Sequence, residues 1–537
     1  RMSGEKMAFP RSAAWHLLAV GALVLSQFTI EYFLGWEAAR WLVAWLALKP
    51  KKLGLNQRVG QTLLNVYPYG LATLVFLVWR VFIFQFPTYQ PVGTGESEFV
   101  FSKWLLQIIT EFFEAVFAAW HRAFPVLSSG EFSTGFWLTY LILSVGTMVL
   151  IFTVILLYRN GFKREDEGEG LPSPGFGRQA LWISMIGLAF AGWPFWLTDL
   201  TINIRSPFNS RFTMAFMPWI ALFFTAFLHW FSRIRSGFLR VVNLVLIAVL
   251  VGGSAGYQYW NANYYRNEWL VTQRYFQQMV HRIPDLEPGT TLVINDLRAL
   301  SLYQDDSLSA ILNWTYSPEN TDREMDYMVH YLSVRLGRQL PALEPGLSIE
   351  HRLRSQIFYG STDQLLVVYY QPPGCLRVLD YDHPSRLPEE FPLQMIPALP
   401  LSKPDLIRPN PDEPASPPLN LFEETAGETW CMYFEEADLA AQQGDWAQVA
   451  NLGAQALALE DQSNEVSELF VFIEGYLRMG RMGRAKDLSA NLSVRSGGYF
   501  DEAICSLWQG LDQELGEDFA RDFDLIPIYD RYCEVDG

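Results

Sequence analysis

Three apolar runs between residues 180 and 257 constrain this chain more than any other feature. Ala180–Leu197, Phe212–Trp230 and Val241–Tyr257 each approach the length a helix needs to cross a hydrocarbon layer of about 30 Å. The polar loop Asp199–Arg211 separates the first two, and the basic loop Ser232–Arg240 the last two. Ala13–Leu34, Leu63–Phe86 and Phe136–Tyr158 are further runs, so residues 1–257 read as a transmembrane domain of about six helices. The first run continues less purely through Leu48, and a break near Gly35 would divide one span from an interfacial or re-entrant helix. Trp104–Phe124 is aromatic but carries Glu111, Glu114, His121 and Arg122, which suits a helix lying in the interface. The chain opens at Arg1, which leaves two readings: a start at Met2 or Met7, or a fragment lacking upstream membrane helices.

Charge divides the chain. Residues 1–257 hold 20 Lys and Arg against 13 Asp and Glu, whereas residues 258–537 hold 20 against 44. A half this acidic lacks the basic footprint that phosphate backbones require, so nucleic acid is not expected as a partner. Loops 49–62, 159–178 and 232–240 are the basic ones and fall on one side if the spans alternate. Lysine and arginine collect in cytoplasmic loops, so these are assigned to the cytoplasm. Loops 88–133 and 199–211, and everything after Tyr257, then lie outside the inner membrane.

The acidic half reads in three parts. Residues 258–395 suit an extracytoplasmic α/β domain, with helices at Asn267–Arg282 and Asp322–Leu336, a strand at Thr291–Asn295 and a strand–turn–strand unit over Leu365–Leu379. Residues 396–419 hold prolines from Pro397 to Pro418, which reads as a stiff, extended linker. Residues 420–537 are helical. All four cysteines lie in this half and none forms a CxxC pair, so neither a zinc nor a redox motif is expected, and the pairing is open.

Candidate chemistry is sparse. Glu31, Glu37 and Arg40 place charge at the edge of lipid or inside it, where it either lines a cavity or forms a Glu–Arg pair at the interface. In the loop after Leu197, Arg205 and Arg211 suit a lipid-linked phosphate, and Asp199 could hold a divalent metal or take a proton. The same arginines also suit plain membrane anchoring beside Trp193 and Trp196. Asp296, Asp305 and Asp306, with His383 after Asp380 and Asp382, are either a metal cluster or a solvated acidic face, and the face is favoured because no spacing is diagnostic. There is no GxSxG, no phosphate-cradling glycine loop and no HExxH. Asn313-Trp-Thr315 is a glycosylation sequon.

Two helix–turn–helix units follow the linker: Tyr433–Gln443 with Ala447–Glu460, and Glu465–Met479 with Gly483–Leu492. Their turn glycines, Gly444 and Gly480, recur at close to the tetratricopeptide period of about 34 residues. With Ala437, Trp446, Ala456 and Leu457 in the first unit and Tyr476 and Ala485 in the second, residues 430–495 resemble a tetratricopeptide pair. Val449 and the lack of a proline after Leu459 depart from the pattern. Tyr499–Leu515 would cap it.

The whole layout is similar to the GT-C glycosyltransferases, closest to O-mannosyltransferases that carry C-terminal tetratricopeptide repeats. The local likeness is Leu25–Glu31, the basic loop to Arg58, Tyr67-Pro68-Tyr69 opening a span that ends in Trp79-Arg80, and Arg211-Phe212 with Pro218. The resemblance implies transfer of sugar from a polyprenyl-phosphate donor to an extracytoplasmic acceptor, with Arg205 and Arg211 on the donor phosphate and the repeats holding an acceptor protein. The family's acidic base in its first outer loop has no matching position here. The chain also resembles bacterial multi-span proteins in which a segment like Pro372–Asp380 precedes a helix like Trp430–Glu435, and no activity comes with that likeness. The competing expectation is a non-enzymatic membrane scaffold that displays the repeats to a protein partner.

Overall fold

A chain in lipid must pair its own backbone groups, and the apolar runs do so as helices. The computed structural model describes residues 9–48, 54–84, 101–118, 133–161, 175–197, 202, 209–232, 237–295, 304–353, 355–382, 387–388, 391–419, 421–422, 428–516, 519 and 523–533. The chain is mostly helical and divides into two units, Arg1–Tyr264 and Tyr265–Gly537.

The first unit contains α1 (Phe9–Thr29), α2 (Trp36–Ala47), α3 (Leu55–Val78), α4 (Phe101–Phe113), α5 (Thr134–Gly161), α6 (Phe176–Ala191) and α7 (Met217–Ser232); α8 (Gly237–Arg282) begins in it. Three stretches, Leu55–Ile83, Thr134–Leu157 and Gly237–Arg282, are long and apolar enough to cross a membrane. Ala14–Thr29 and Met217–Trp230 are apolar but shorter. The expected six spans therefore resolve, among the described residues, into three of full length. Leu138, Ile142, Val145 and Val149 on α5 are exposed, as a lipid-facing stripe would be.

The break near Gly35 is present. α1 stops at Thr29, a tight turn covers Glu31–Phe33, and α2 starts at Trp36. A Cβ on Gly35 would come within 1.8 Å of the Phe190 carbonyl oxygen, so only glycine permits this approach to α6. On α8, Cβ atoms at Gly252 and Gly256 would collide with Met148, Ser144 and Tyr140 of α5, which is the close packing of small residues four apart.

The second unit is built on a four-stranded sheet in the order β3-β1-β6-β7. β1 (Thr291–Ile294) lies parallel to β3 (Met328–Tyr331) and β6 (Leu365–Tyr369), and β7 (Arg377–Leu379) is antiparallel to β6. All four strands are buried throughout, which suits the apolar runs of β1 and β6, while β3 and β7 each bury one polar side chain, His330 and Arg377. α9 (Asp305–Tyr316) connects β1 to β3. A smaller sheet, β2-β5-β4, comprises β2 (Glu324–Met325), β5 (Gln356–Ser361) and β4 (Ser348–Leu353).

Two expectations are corrected here. Residues 322–336 are not one helix: they form β2, β3 and a single turn at Leu332–Arg335. A four-residue strand buried on both faces has no alternation to distinguish it from a helix turn, and pairing with β1 decides the outcome. The proline-rich stretch is not a free linker either. Leu393–Leu401 coils tightly and buries Met395, Ala398, Leu399 and Leu401. Beyond it, the Lys403 N–H donates to the Leu365 carbonyl, the Ser402 hydroxyl oxygen accepts from the Val367 N–H, and Ile407 bridges to Leu286. Proline suits such an edge cover because it has no N–H to leave unpaired.

The rest is helical: α10 (Trp430–Gln442), α11 (Trp446–Ala456), α12 (Leu469–Arg478), α13 (Met482–Arg495), α14 (Asp501–Leu515) and α15 (Ile526–Tyr532). α10/α11 and α12/α13 are hairpins. Thr429 and Asp445 cap α10 and α11 by accepting from the Met432 and Gln448 N–H groups. Gly444 and Gly480 turn the chain at φ of 75° and 65°, where a side chain would strain the backbone. Two disulfides tie this part: Cys375–Cys431 joins the turn before β7 to the first turn of α10, and Cys505–Cys533 joins α14 to the residue after α15.

Candidate functional site

In the first unit, three short turns meet at one aromatic cluster. Tyr32, from the turn after α1, meets Phe212 edge-on at 5.2 Å and Phe195 at 5.3 Å. The Trp36 indole N–H donates to the Ala215 carbonyl at 2.8 Å. Phe195, Trp196, Ile202 and Phe212 are buried in one core with Val116.

The polar groups sit on its flanks. Glu31, next to Tyr32, accepts from Arg80 Nε at 2.8 Å, with the Arg80 guanidinium also over Phe84. Arg211, next to Phe212, is exposed, with its guanidinium 5.3 Å from the Phe212 ring centre. Chain neighbours of Glu31 and Arg211 thus belong to one cluster, although the two residues lie far apart in sequence. Asp199 and Arg205 lie outside the described residues.

Glu37 and Arg40 go elsewhere. They pair with each other at 2.8 Å on α2, and the Arg40 guanidinium lies 4.2 Å from the centre of the Tyr69 ring on α3. The Tyr69 hydroxyl is 3.1 Å from His16 Nδ1. The charge is met on neighbouring helices.

Glu111 was legible only as a charge on an interfacial helix, and its partners give it a larger part. It is 4% exposed. Oε1 accepts from Gln107 Nε2 at 3.0 Å and from the Ile202 N–H at 3.1 Å, and Oε2 accepts from the Trp196 indole at 2.7 Å. One carboxylate therefore holds both flanks of the segment that contains Asp199. Gln107 is one helical turn away, but Trp196 and Ile202 lie 85 and 91 residues away, beyond any spacing rule.

The second unit holds the other polar constellation. Asp305 and Asp306 are not a solvated acidic face. Asp305 is 1% exposed and takes Arg335 through both oxygens at 2.6 Å, while Arg335 also reaches Asp306 at 2.8 Å. His351 Nε2 lies 3.3 Å from Asp306, and His351 Nδ1 lies 3.0 Å from His330 Nε2. Burial first, then the neighbouring His351, holds the His330 imidazole down at about 3. His383 and Asp296 lie outside the described residues, and Asp380 and Asp382 make a local turn. Among the described residues, no three His, Cys, Asp or Glu side chains converge as metal ligands.

Between sheet and hairpins, buried carboxylates act as fasteners. Glu468 accepts from the Cys375 N–H and the Trp430 indole, and Glu435 accepts from the Leu376 N–H. Burial raises both carboxyls above the usual range. The sequon Asn313 is used up as well: its amide donates to the Ser309 and Tyr327 carbonyls, and its oxygen accepts from the Asp326 and Tyr327 N–H groups.

No family model, no curated protein and no solved structure matches this chain.

Proposed function

We propose that this is a multi-pass inner-membrane protein that takes a polyprenyl-phosphate-linked sugar at the aromatic end of its first unit, as a GT-C-like glycosyltransferase would. The observation that carries the reading is the gathering of Glu31–Arg80, Arg211 and the Glu111-held residues Trp196 and Ile202 around one aromatic cluster. Aromatic walls suit a prenyl chain, and guanidiniums suit its phosphate. In this reading Arg211, with Arg205, binds the donor phosphate. Asp199, in the segment that Glu111 tethers, takes the proton of the acceptor hydroxyl as that oxygen bonds to the sugar. The bond from sugar to phosphate breaks, and the prenyl phosphate leaves with its electron pair.

The second unit is placed outside the inner membrane. Basic loops 49–62, 159–178 and 232–240 support the orientation, and the two disulfides suit an oxidising compartment. The α10–α13 hairpins are read as a tetratricopeptide-like module for a protein partner. That module favours a second reading, a non-enzymatic scaffold that displays it.

Transfer of labelled sugar from a polyprenyl-phosphate donor, by membranes containing the protein, separates the two. Arg211→Ala is expected to lower transfer at least tenfold. Equal transfer by the variant removes the arginine's role, and no transfer by the unsubstituted protein leaves the scaffold. A periplasm-dependent reporter fused after Gly537 tests the orientation separately.

A further inference from the structure

Two imidazoles lie sealed where the two sheets of the second unit meet. His330 on β3 and His351 on β4 are 0% and 2% exposed. Their facing nitrogens are 3.0 Å apart, so one must donate and the other accept. The order that satisfies the whole chain has His330 Nε2–H donating to His351 Nδ1, and His351 Nε2–H donating to Asp306. Asp306 is in turn held by Arg335, which Asp305 also grips.

This arrangement has no room for another proton. A proton added to His330 would sit on Nδ1, which is buried with no hydrogen-bond partner. A proton added to His351 Nδ1 would face the His330 donor and break the bond between the sheets. The surrounding elements give little relief. α9 contributes Asp305 and Asp306, already shared with Arg335, whose cation opposes further positive charge. Glu350 and Arg352 on β4 pair with each other on the exposed side. β2 and β5 bring only the exposed Glu324 and Tyr359, and β1 and β6 bring no carboxylate or imidazole. A metal ion is not the better occupant, because His351 directs its two nitrogens to different partners.

We propose that this seam is an acid-sensitive device: a proton taken up by His330 separates β3 from β4 and opens the second unit locally, while the hairpins stay closed. The sign follows from burial. The closed state holds His330 at about 3, and an opened chain binds its proton near 6.5. Above about 6.5 neither state binds the proton and pH has no leverage. Below that, the open state gains protons that the closed state refuses, so closure weakens as pH falls toward about 3. Between pH 7.5 and 5, one such histidine shifts the balance toward opening about thirtyfold.

Hydrogen exchange of the full-length protein in lipid nanodiscs tests this, with rates corrected for the intrinsic pH dependence of amide exchange. Peptides covering 328–353 should lose about thirtyfold in protection between pH 7.5 and 5, and peptides covering 469–495 should not. His330→Gln, which can still donate to His351 but cannot titrate, should flatten the response. Unchanged protection of the unsubstituted protein, or an equal loss in H330Q, overturns the proposal. Should H330Q fail to fold, exchange of the imidazole C2 hydrogens in the unsubstituted protein decides. A His330 midpoint below about 5 supports the device, and one at or above 5 overturns it.

Discussion

Removing the Asp438 carboxylate should strand a positive charge inside the second unit. Arg282, the last residue of α8, donates through Nε to Asp438 on α10 at 2.6 Å, and the two side chains are 2% and 5% exposed. Its Nη2 reaches Gln442 at 3.0 Å, and its Nη1 is buried with no hydrogen-bond partner, so no other carboxylate bonded to Arg282 takes over. Desolvation of a buried ion is offset here chiefly by the one carboxylate hydrogen-bonded to it, Asp438, with Glu435 acting on it only at longer range. Asp438→Ala deletes that partner and should cost about 3–5 kcal/mol. For a unit of this length that is roughly 6–20 °C in melting temperature. Replacing both partners by apolar groups of similar volume, as in Arg282→Met with Asp438→Leu, should recover most of the loss because no charge remains to be solvated. The assay is thermal unfolding of the detergent-solubilised protein, followed by hydrogen exchange in peptides covering 430–456. A single variant that costs less than about 1 kcal/mol, or a double variant no better than D438A, would refute the reasoning.

Other expectations follow from the same contacts. Cys375–Cys431 and Cys505–Cys533 close separations of 56 and 28 residues. Reductant, or paired Cys→Ala changes, should therefore lower stability by about 4 kcal/mol for each bridge, read as a melting shift with and without reductant. Gly35→Ala should abolish folded yield, since the added atom would meet Phe190, whereas Gly60→Ala, with nothing within 4 Å, should leave it unchanged; size-exclusion profiles compare them. Asn313→Ala removes four hydrogen bonds and should cost about 2–4 kcal/mol by denaturant titration. In a glycosylating host, the folded protein should keep its unmodified mass at that site.

Local signals read well where one element decides its own form. The break at Gly35, the hairpin turns at Gly444 and Gly480 and the strands β1, β6 and β7 were all legible, because turn glycines and apolar runs act over a few residues. Failures came where a distant partner decides. β3 is a strand only because β1 lies beside it, and Asp305 is buried only because Arg335 returns to meet it. The aspartates alone resemble any solvated pair. In the first unit, Glu31 and Arg211 were each visible as charges, but their shared aromatic cluster needed the turns at residues 31–33 and 209–215 to meet. Glu111 had no local signature, since its importance lies in what it tethers.

The proline-rich cover over β6 has a consequence for anyone dividing this gene. A boundary placed at residues 396–401, early in the stretch where composition invites one, would strip two neighbours at once. The piece ending there loses Ser402, Lys403 and Ile407, and with them the partners of the Val367 N–H, the Leu365 carbonyl and Leu286. The piece starting there keeps Cys431 but loses Cys375. Insertions that an ordinary tether absorbs should be rejected here, so the smallest viable fragment of this half carries both lobes and the strap between them.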